Sequence, residues 1–207
     1  MVENENRKEI LDYFRLNISE ALSAYNGWKM ICHSKWKGIL SQTMVDRYVE
    51  IQNYHPKFFV SAERAFLITF VMLSLHSFDK RDDSFSLYKV NKEELEKFMK
   101  DNDKVIECLK SVRNELFAHR DNEASTKKYN ILSIIDLDLF FKNLIEFYNK
   151  LTSVIDDSST SFANTEEIKR DIELLFMNLY RGNAVRKREI DIKWLWEENK
   201  KKASDII

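Results

Sequence analysis

Ser111-Val112-Arg113-Asn114-Glu115-Leu116-Phe117-Ala118-His119-Arg120-Asp121 closes an apolar-periodic segment in which Val105, Leu109, Val112 and Leu116 recur at steps of 4, 3 and 4. That spacing is the seam of a helix packed on a neighbour. The next place in the alternation falls on His119, so a titratable ring replaces the apolar knob. Arg113 lies one residue past Val112, on the shoulder of the seam. Arg120 returns to Arg113's side, because seven residues turn a helix by nearly two revolutions. Arg113 and His119 are six apart and share no straight stripe. They converge only at the edge of the seam, across a partner helix, or where the helix loosens.

Composition sets the frame around this helix. The chain has 207 residues with only 3 Gly and 1 Pro, where ordinary usage gives roughly 14 and 10. Sheets need turn residues, so the scarcity predicts an all-α protein of long helices and polar loops. The formal net charge is -1, which excludes a general coat for nucleic acid and leaves room for a local positive cleft. Cys32 and Cys108 stand far apart and form no zinc or disulfide framework. The polar start, Met1 to Asn6, is not a signal peptide. The most apolar run, Ala65 to Leu75, is shorter than the ~20 residues that span a bilayer. The expectation is a cytoplasmic protein with no membrane contact.

Read in order, residues 1 to 8 are expected to fray. Leu11, Phe14, Ile18, Leu22 and Tyr25 mark an amphipathic helix. Gly27 and Gly38 bracket a shorter segment whose Trp28 and Trp36 seal a small core, with Trp28, Trp36 and Lys37 as an aromatic-basic surface in the alternative. Met44, Tyr48 and Ile51 predict a helix that stops before His55-Pro56. The segment from 57 to 77 is apolar nearly all round and predicts the middle helix of a bundle, with His76 at the edge of the core.

The charged loop Asp79 to Ser84 lacks the Gly and terminal Glu of a calcium loop. Asp79 or Ser84 is expected to cap a helix, and Lys80 and Arg81 are candidates for gripping RNA. Asn91 and Glu94 form a capping-box pattern. Ile134, Leu137, Phe141, Leu144, Tyr148, Leu151 and Ile155 make the cleanest heptad. Phe140, Ile145, Phe147 and Val154 widen it enough for two neighbours: the motif helix, and either a second subunit or simply more of the chain's own core. Residues 156 to 165 are a Ser/Thr/Asp-rich break. The expected division is a helical bundle over 1–155 and a C-terminal helical extension over 156–207. In the extension Ile168, Ile172, Leu175 and Leu179 face inward, Gly182 ends the helix, and Trp194 and Trp196 dock on the bundle or on a partner.

Histidine suits proton transfer, because its unperturbed pKa of about 6.5 lies near neutrality. Arginine suits phosphate, because its planar fork donates paired hydrogen bonds and keeps its charge. Without further context an Arg and a His at a helix end also serve simply to offset the helix dipole.

The order Arg113, Asn114, four more residues, then His119 resembles the signature of the HEPN superfamily. The continuation His119-Arg120-Asp121 is similar to the abortive-infection AbiU-like branch. So are Phe58-Phe59 through Leu73-Ser74-Leu75, then Phe78-Asp79 and Ser84-Phe85-Ser86-Leu87, together roughly residues 45 to 150. The resemblance implies a HEPN-like helical bundle with additional N- and C-terminal helices, a homodimer with a composite cleft, and metal-independent endoribonuclease activity in phage defence or a toxin–antitoxin pair. It implies Arg113 for the phosphate, His119 as acid or base, and Asn114 as an orienting hydrogen-bond donor. The motif gives Arg120 and Asp121 no role of their own; added charge is the candidate role of Arg120, and holding a His119 tautomer or capping the helix end that of Asp121. Several relatives carry a modifiable tyrosine two residues after the histidine; here that place holds Asp121, and Tyr129 is no substitute.

No cofactor and no metal ligand set is expected. Two other readings compete: a non-catalytic RNA- or nucleotide-binding module, and an antitoxin-like protein-interaction module using the heptad and the Trp194/Trp196 segment. The chain has no Gly-rich phosphate loop, no Gly-x-Ser-x-Gly and no His-Glu-x-x-His, so ATPase, hydrolase-elbow and zincin chemistry lack support.

Overall fold

The computed structural model describes residues 2–35, 40–81, 85–118 and 133–204. They form seven helices: α1 (Val2–His33), α2 (Gln42–Tyr54), α3 (Pro56–His76), α4 (Lys92–Asp101), α5 (Asp103–Ala118), α6 (Ile134–Asp156) and α7 (Glu167–Ser204). Among the described residues no strand forms, so the chain is all-α as its composition predicts. Trp36 and Lys37, with Gly38, lie outside the described residues, as do the side chains of Trp194 and Trp196.

α1 is the spine. Ile10, Leu11, Phe14, Ile18, Ala21, Leu22 and Tyr25 follow helical spacing and are all buried. The helix begins at Val2 instead of fraying over eight residues, and Lys8 Nζ meets Asp156 at the end of α6 at 2.6 Å. At its other end Tyr25 donates to Asp138 (2.8 Å) and Lys29 pairs with Asp138 (2.6 Å), so α1 and α6 run antiparallel. Gly27 does not stop α1. It lies under α3, where a Cβ would meet Phe66 Cζ at 2.9 Å. The residue marks a close approach of two helices, not a break. Trp28 packs at a tilt against Phe70, with ring centroids 5.5 Å apart, as a core-sealing ring.

α6 fills the main core with the faces its heptad predicts. Leu137, Phe140, Phe141, Leu144, Phe147, Tyr148 and Leu151 are buried, whereas Val154 is 80 % exposed and does not widen the stripe. α1 and α5 of the same chain pack against α6. In α5 burial fades along the seam: Val105, Ile106 and Leu109 are buried, Val112 and Leu116 only half-buried. The motif end of α5 therefore leaves the core.

α3 is not the enclosed middle helix its composition suggests. It lies antiparallel to α1 and also packs on α5, but Phe58, Val60 and Met72 are exposed. Its 21 residues are long and apolar enough to cross a membrane by length and composition, with a mean hydropathy of 1.7. Within the bundle that apolarity serves α1 and α5 on one side. Glu63 near its start pairs with Lys35 at 2.6 Å.

A second, smaller core joins the start of α3 to α2, the end of α1 and α7. Phe176 is wholly buried, stacked on Phe59 (5.0 Å) and packed against Tyr48 (4.4 Å). Leu175, expected inward, is 38 % exposed. The larger aromatic takes the inward place, because it fills the gap between two rings. α7 passes through Gly182, which has nothing within 4 Å of a would-be Cβ, and continues to Ser204. Asn26 donates to Thr165 O at 3.0 Å and fastens the 163–166 turn to α1.

Candidate phosphate-binding cleft

The last turn of α3, the 77–81 loop and α5 enclose a groove of about 640 Å³. Its floor is apolar, from Leu73, Leu75, Phe78 and Met99. Its rim carries Lys80, Arg81, Lys110, Arg113 and His76 against the one carboxylate of Asp79. Three residues predicted as site members, Arg113, Lys80 and Arg81, thus meet in one place although more than thirty positions separate the loop from the motif.

Each side chain is placed by local chemistry. Arg113 projects from α5 just beyond the buried seam. Its Nε and Nη2 donate to Asn114 Oδ1 at 3.3 and 3.2 Å. Asn114 accepts through its side-chain oxygen and keeps its own N–H groups to donate, and among the described residues three of the five guanidinium N–H groups make no hydrogen bond. Lys110 stands three residues before Arg113 on the same helix face and pairs with Glu107 at 2.6 Å. Sequence reasoning missed Lys110, although its i−3 spacing from Arg113 signals it.

The loop is built around Asp79. Its Oδ1 accepts the Arg81 backbone N–H at 3.1 Å, and its Oδ2 meets Arg81 Nη2 at 2.6 Å. The Arg81 guanidinium holds the Asp79 carboxyl below the usual carboxylate range despite partial desolvation. Asp79 therefore closes its own turn and caps no helix; the 3₁₀ turn at Leu87–Lys89 is capped by Ser86, which accepts from the Tyr88 N–H at 3.2 Å. Ser84, the other expected cap, lies outside the described residues. Lys80 sits over the Tyr88 ring, 5.2 Å from its centroid, and the hydrogen bond to Tyr88 raises its pKa. Glu94 accepts no reciprocal cap: Asn91 accepts from its N–H at 3.2 Å, while its carboxylate pairs with Lys150 at 2.7 Å.

His76, read from sequence as a core-edge residue, is at the core's edge and also lines the groove. His119, Arg120 and Asp121 lie outside the described residues. A second groove, about 600 Å³, runs between α1, α6 and the 163–166 turn. Its Lys29 pairs with Asp138 and its Lys169 with Glu166, so it offers no comparable excess of positive charge. Among the described residues no group of three or more His, Cys, Asp or Glu is arranged to hold a metal ion.

Comparison with known proteins agrees with the motif. The HEPN model described as AbiU2 matches residues 71–176, from the end of α3 through the cleft and α6 to the buried Phe176. The match begins later than the sequence pattern at residue 45 and runs past the 156–165 break. Neither the curated proteins nor the solved structures contain a match to this chain. Because the matched region takes in just over half of the 207 residues and contains the whole Arg113–His119 motif, this protein belongs to the AbiU2 family of HEPN domains.

Proposed function

We propose that the protein is a metal-independent endoribonuclease of a phage-defence or toxin–antitoxin system. The observation that carries this reading is the convergence of Arg113 with Lys80, Arg81 and Lys110 around one groove. A phosphodiester is the ligand such a rim fits: a monoanion held by a planar fork and point charges, with sugar and base against the apolar floor.

The chemistry is transesterification. A base takes the proton from the ribose 2′-OH, and O2′ attacks phosphorus. The P–O5′ bond breaks and an acid protonates O5′, giving a 2′,3′-cyclic phosphate and a 5′-hydroxyl. Arg113 holds the non-bridging oxygens, Asn114 fixes its guanidinium, and His119 is the motif's proton-transfer group. Arg120, Lys80 and Arg81 extend the grip along the strand. A homodimer that brings two motifs to one composite cleft supplies two copies of each group. The protein acts in the cytoplasm, and an antitoxin or similar protein holds it in check.

The protein is incubated with transfer, ribosomal and messenger RNA in excess chelator. Cleavage should persist and leave 2′,3′-cyclic phosphate ends. Arg113→Ala should cost about 10²–10³-fold, the usual worth of one preorganised donor, and His119→Ala about 10²–10⁴-fold, with circular dichroism unchanged. Cleavage that requires a divalent ion, or that survives both substitutions, refutes the reading. Sedimentation of the active species tests the dimer.

A further inference from the structure

Transesterification needs two proton transfers, and the motif gives each chain one histidine. An imidazole from outside the motif, His76, lines the groove that holds Arg113. His76 ends α3, and its Nδ1 lies 3.2 Å from Asn17 Nδ2 and 3.5 Å from the Tyr13 hydroxyl, both on α1. The rings of Tyr13 and Phe14 pack against it at 5.7 Å. One edge of the imidazole is thus fixed against α1, and among the described residues nothing hydrogen-bonds Nε2.

Asn17 is 6 % exposed, and among the described residues its Oδ1 has no hydrogen-bond partner. A histidine that passes protons must be held in both charge states. With Nδ2 toward the ring, Asn17 donates to a bare Nδ1 and the imidazole proton sits on Nε2. A half-turn of the amide exchanges its two atoms, and Oδ1 then accepts from a protonated Nδ1. A primary amide, with donor and acceptor on one carbon, serves both states from a single backbone position.

We propose that His76 is a proton-transfer group of the cleft, acting through Nε2 on a phosphodiester gripped by Arg113 and Lys110, with Asn17 as the residue that positions its ring in both charge states. This rests on the nuclease reading and adds a proton-transfer group from outside the Arg–His motif. His76 makes one of the two transfers: its Nε2 receives the proton of O2′ as the O2′–P bond forms, or gives a proton to O5′ as the electron pair of the broken P–O5′ bond leaves on that oxygen, and solvent water completes the other transfer. The charged and titratable groups that face His76 are Tyr13 from α1, Asp79, Lys80 and Arg81 from the loop, and Lys110 and Arg113 from α5.

The test compares pH–rate profiles for cleavage of a defined oligoribonucleotide in chelator. His76→Asn keeps an amide near the Nδ1 position and removes the titrating nitrogen. It should melt like the parent, cut about 100-fold or more slowly, and lose one limb of the profile. Asn17→Leu keeps the volume and should move that limb along the pH axis. If the parent cuts, Arg113→Ala does not, and His76→Asn cuts within about twofold of the parent with the same profile, the role of His76 is overturned and the nuclease reading stands. A parent that cuts no RNA overturns both.

A measurement on the unaltered protein guards against misfolding of the variant. The His76 ring proton signal is titrated with and without a 2′-O-methyl oligonucleotide. Its titration midpoint should move on binding, and an unmoved midpoint with RNA bound overturns the proposal.

Discussion

Two glycines inside helices give opposite predictions for one substitution. Replacing glycine by alanine in a helix interior gains about 0.8–1 kcal/mol, because alanine loses less backbone entropy. Gly182 in α7 has nothing within 4 Å of the added carbon, so Gly182→Ala should be worth nearly the full gain. Gly27 in α1 faces Phe66, whose Cζ, Cε1 and Cε2 would stand 2.9 to 3.1 Å from the new methyl. That is inside van der Waals contact, so the ring or α3 must move. Phe66 is partly buried against both hydrophobic cores, which leaves it little room. Overpacking of this kind costs about 1–3 kcal/mol. The net for Gly27→Ala is a loss of about 1 kcal/mol.

The helix terms cancel between the two variants, so their difference isolates the α1–α3 contact at about 1–3 kcal/mol. Urea unfolding measures it, with equal m-values required before midpoints are compared. For a chain this long each kcal/mol also moves the melting temperature by about 2–4 °C. If both variants gain stability equally, Phe66 yields without cost, and Gly27 is not a close-approach residue. The same helix pair holds Asn17 against His76, so Gly27→Ala should also slow any reaction in the cleft that depends on that contact.

Lys110→Ala should weaken binding of a non-cleavable RNA and flatten the plot of log affinity against log salt by about 0.7, the release expected for one single-strand phosphate; Lys142→Ala, in the second groove, should leave the slope unchanged, and equal slopes for the parent and Lys110→Ala would place RNA elsewhere. At alkaline pH, burial holds the Tyr148 hydroxyl neutral up to about 12, and burial with the nearby Glu63 does the same for the Cys32 thiol. Both ionise earlier in the unfolded chain, so their stabilisation is complete below about pH 9 and is lost as pH rises toward 12. The urea midpoint should fall between pH 8 and 10.5, Tyr148→Phe should flatten that fall, and a flat parent profile would contradict the assignment.

Helices declare themselves in this sequence wherever one face is buried throughout. The α6 heptad and the α1 stripe are legible because each inward residue recurs at helical spacing. Breaks are harder to read. A glycine that ends a helix and one that admits a neighbouring ring look alike until the neighbour is known, and that neighbour, Phe66, is 39 positions from Gly27. Leu175 and Phe176 are adjacent and both apolar. Only the gap between Tyr48 and Phe59 decides which turns inward. α3 misleads for a different reason: apolar composition all round is compatible with burial on all sides, but it does not require it.

The cleft was legible in its members and not in its assembly. Arg113 announces itself by standing where an apolar seam ends, and Lys80 and Arg81 by concentrating charge in a loop. Their meeting depends on α3 and α5 packing side by side, which no local spacing records. The packing also explains how a chain of net charge -1 presents a positive rim. Asp79 holds Arg81 and Glu107 holds Lys110, so a phosphate must displace or share with a carboxylate to engage either one. Exposed pairs of this kind contribute little to stability, about 0–1 kcal/mol, and they lower the cleft's attraction for any polyanion in passing. Arg113 is held only by the neutral amide of Asn114 among the described residues. On the proposed nuclease reading, a ligand that places a phosphodiester at Arg113 is therefore favoured over one that merely carries negative charge, and selectivity for position follows from which cations the fold neutralises and which it leaves to an amide.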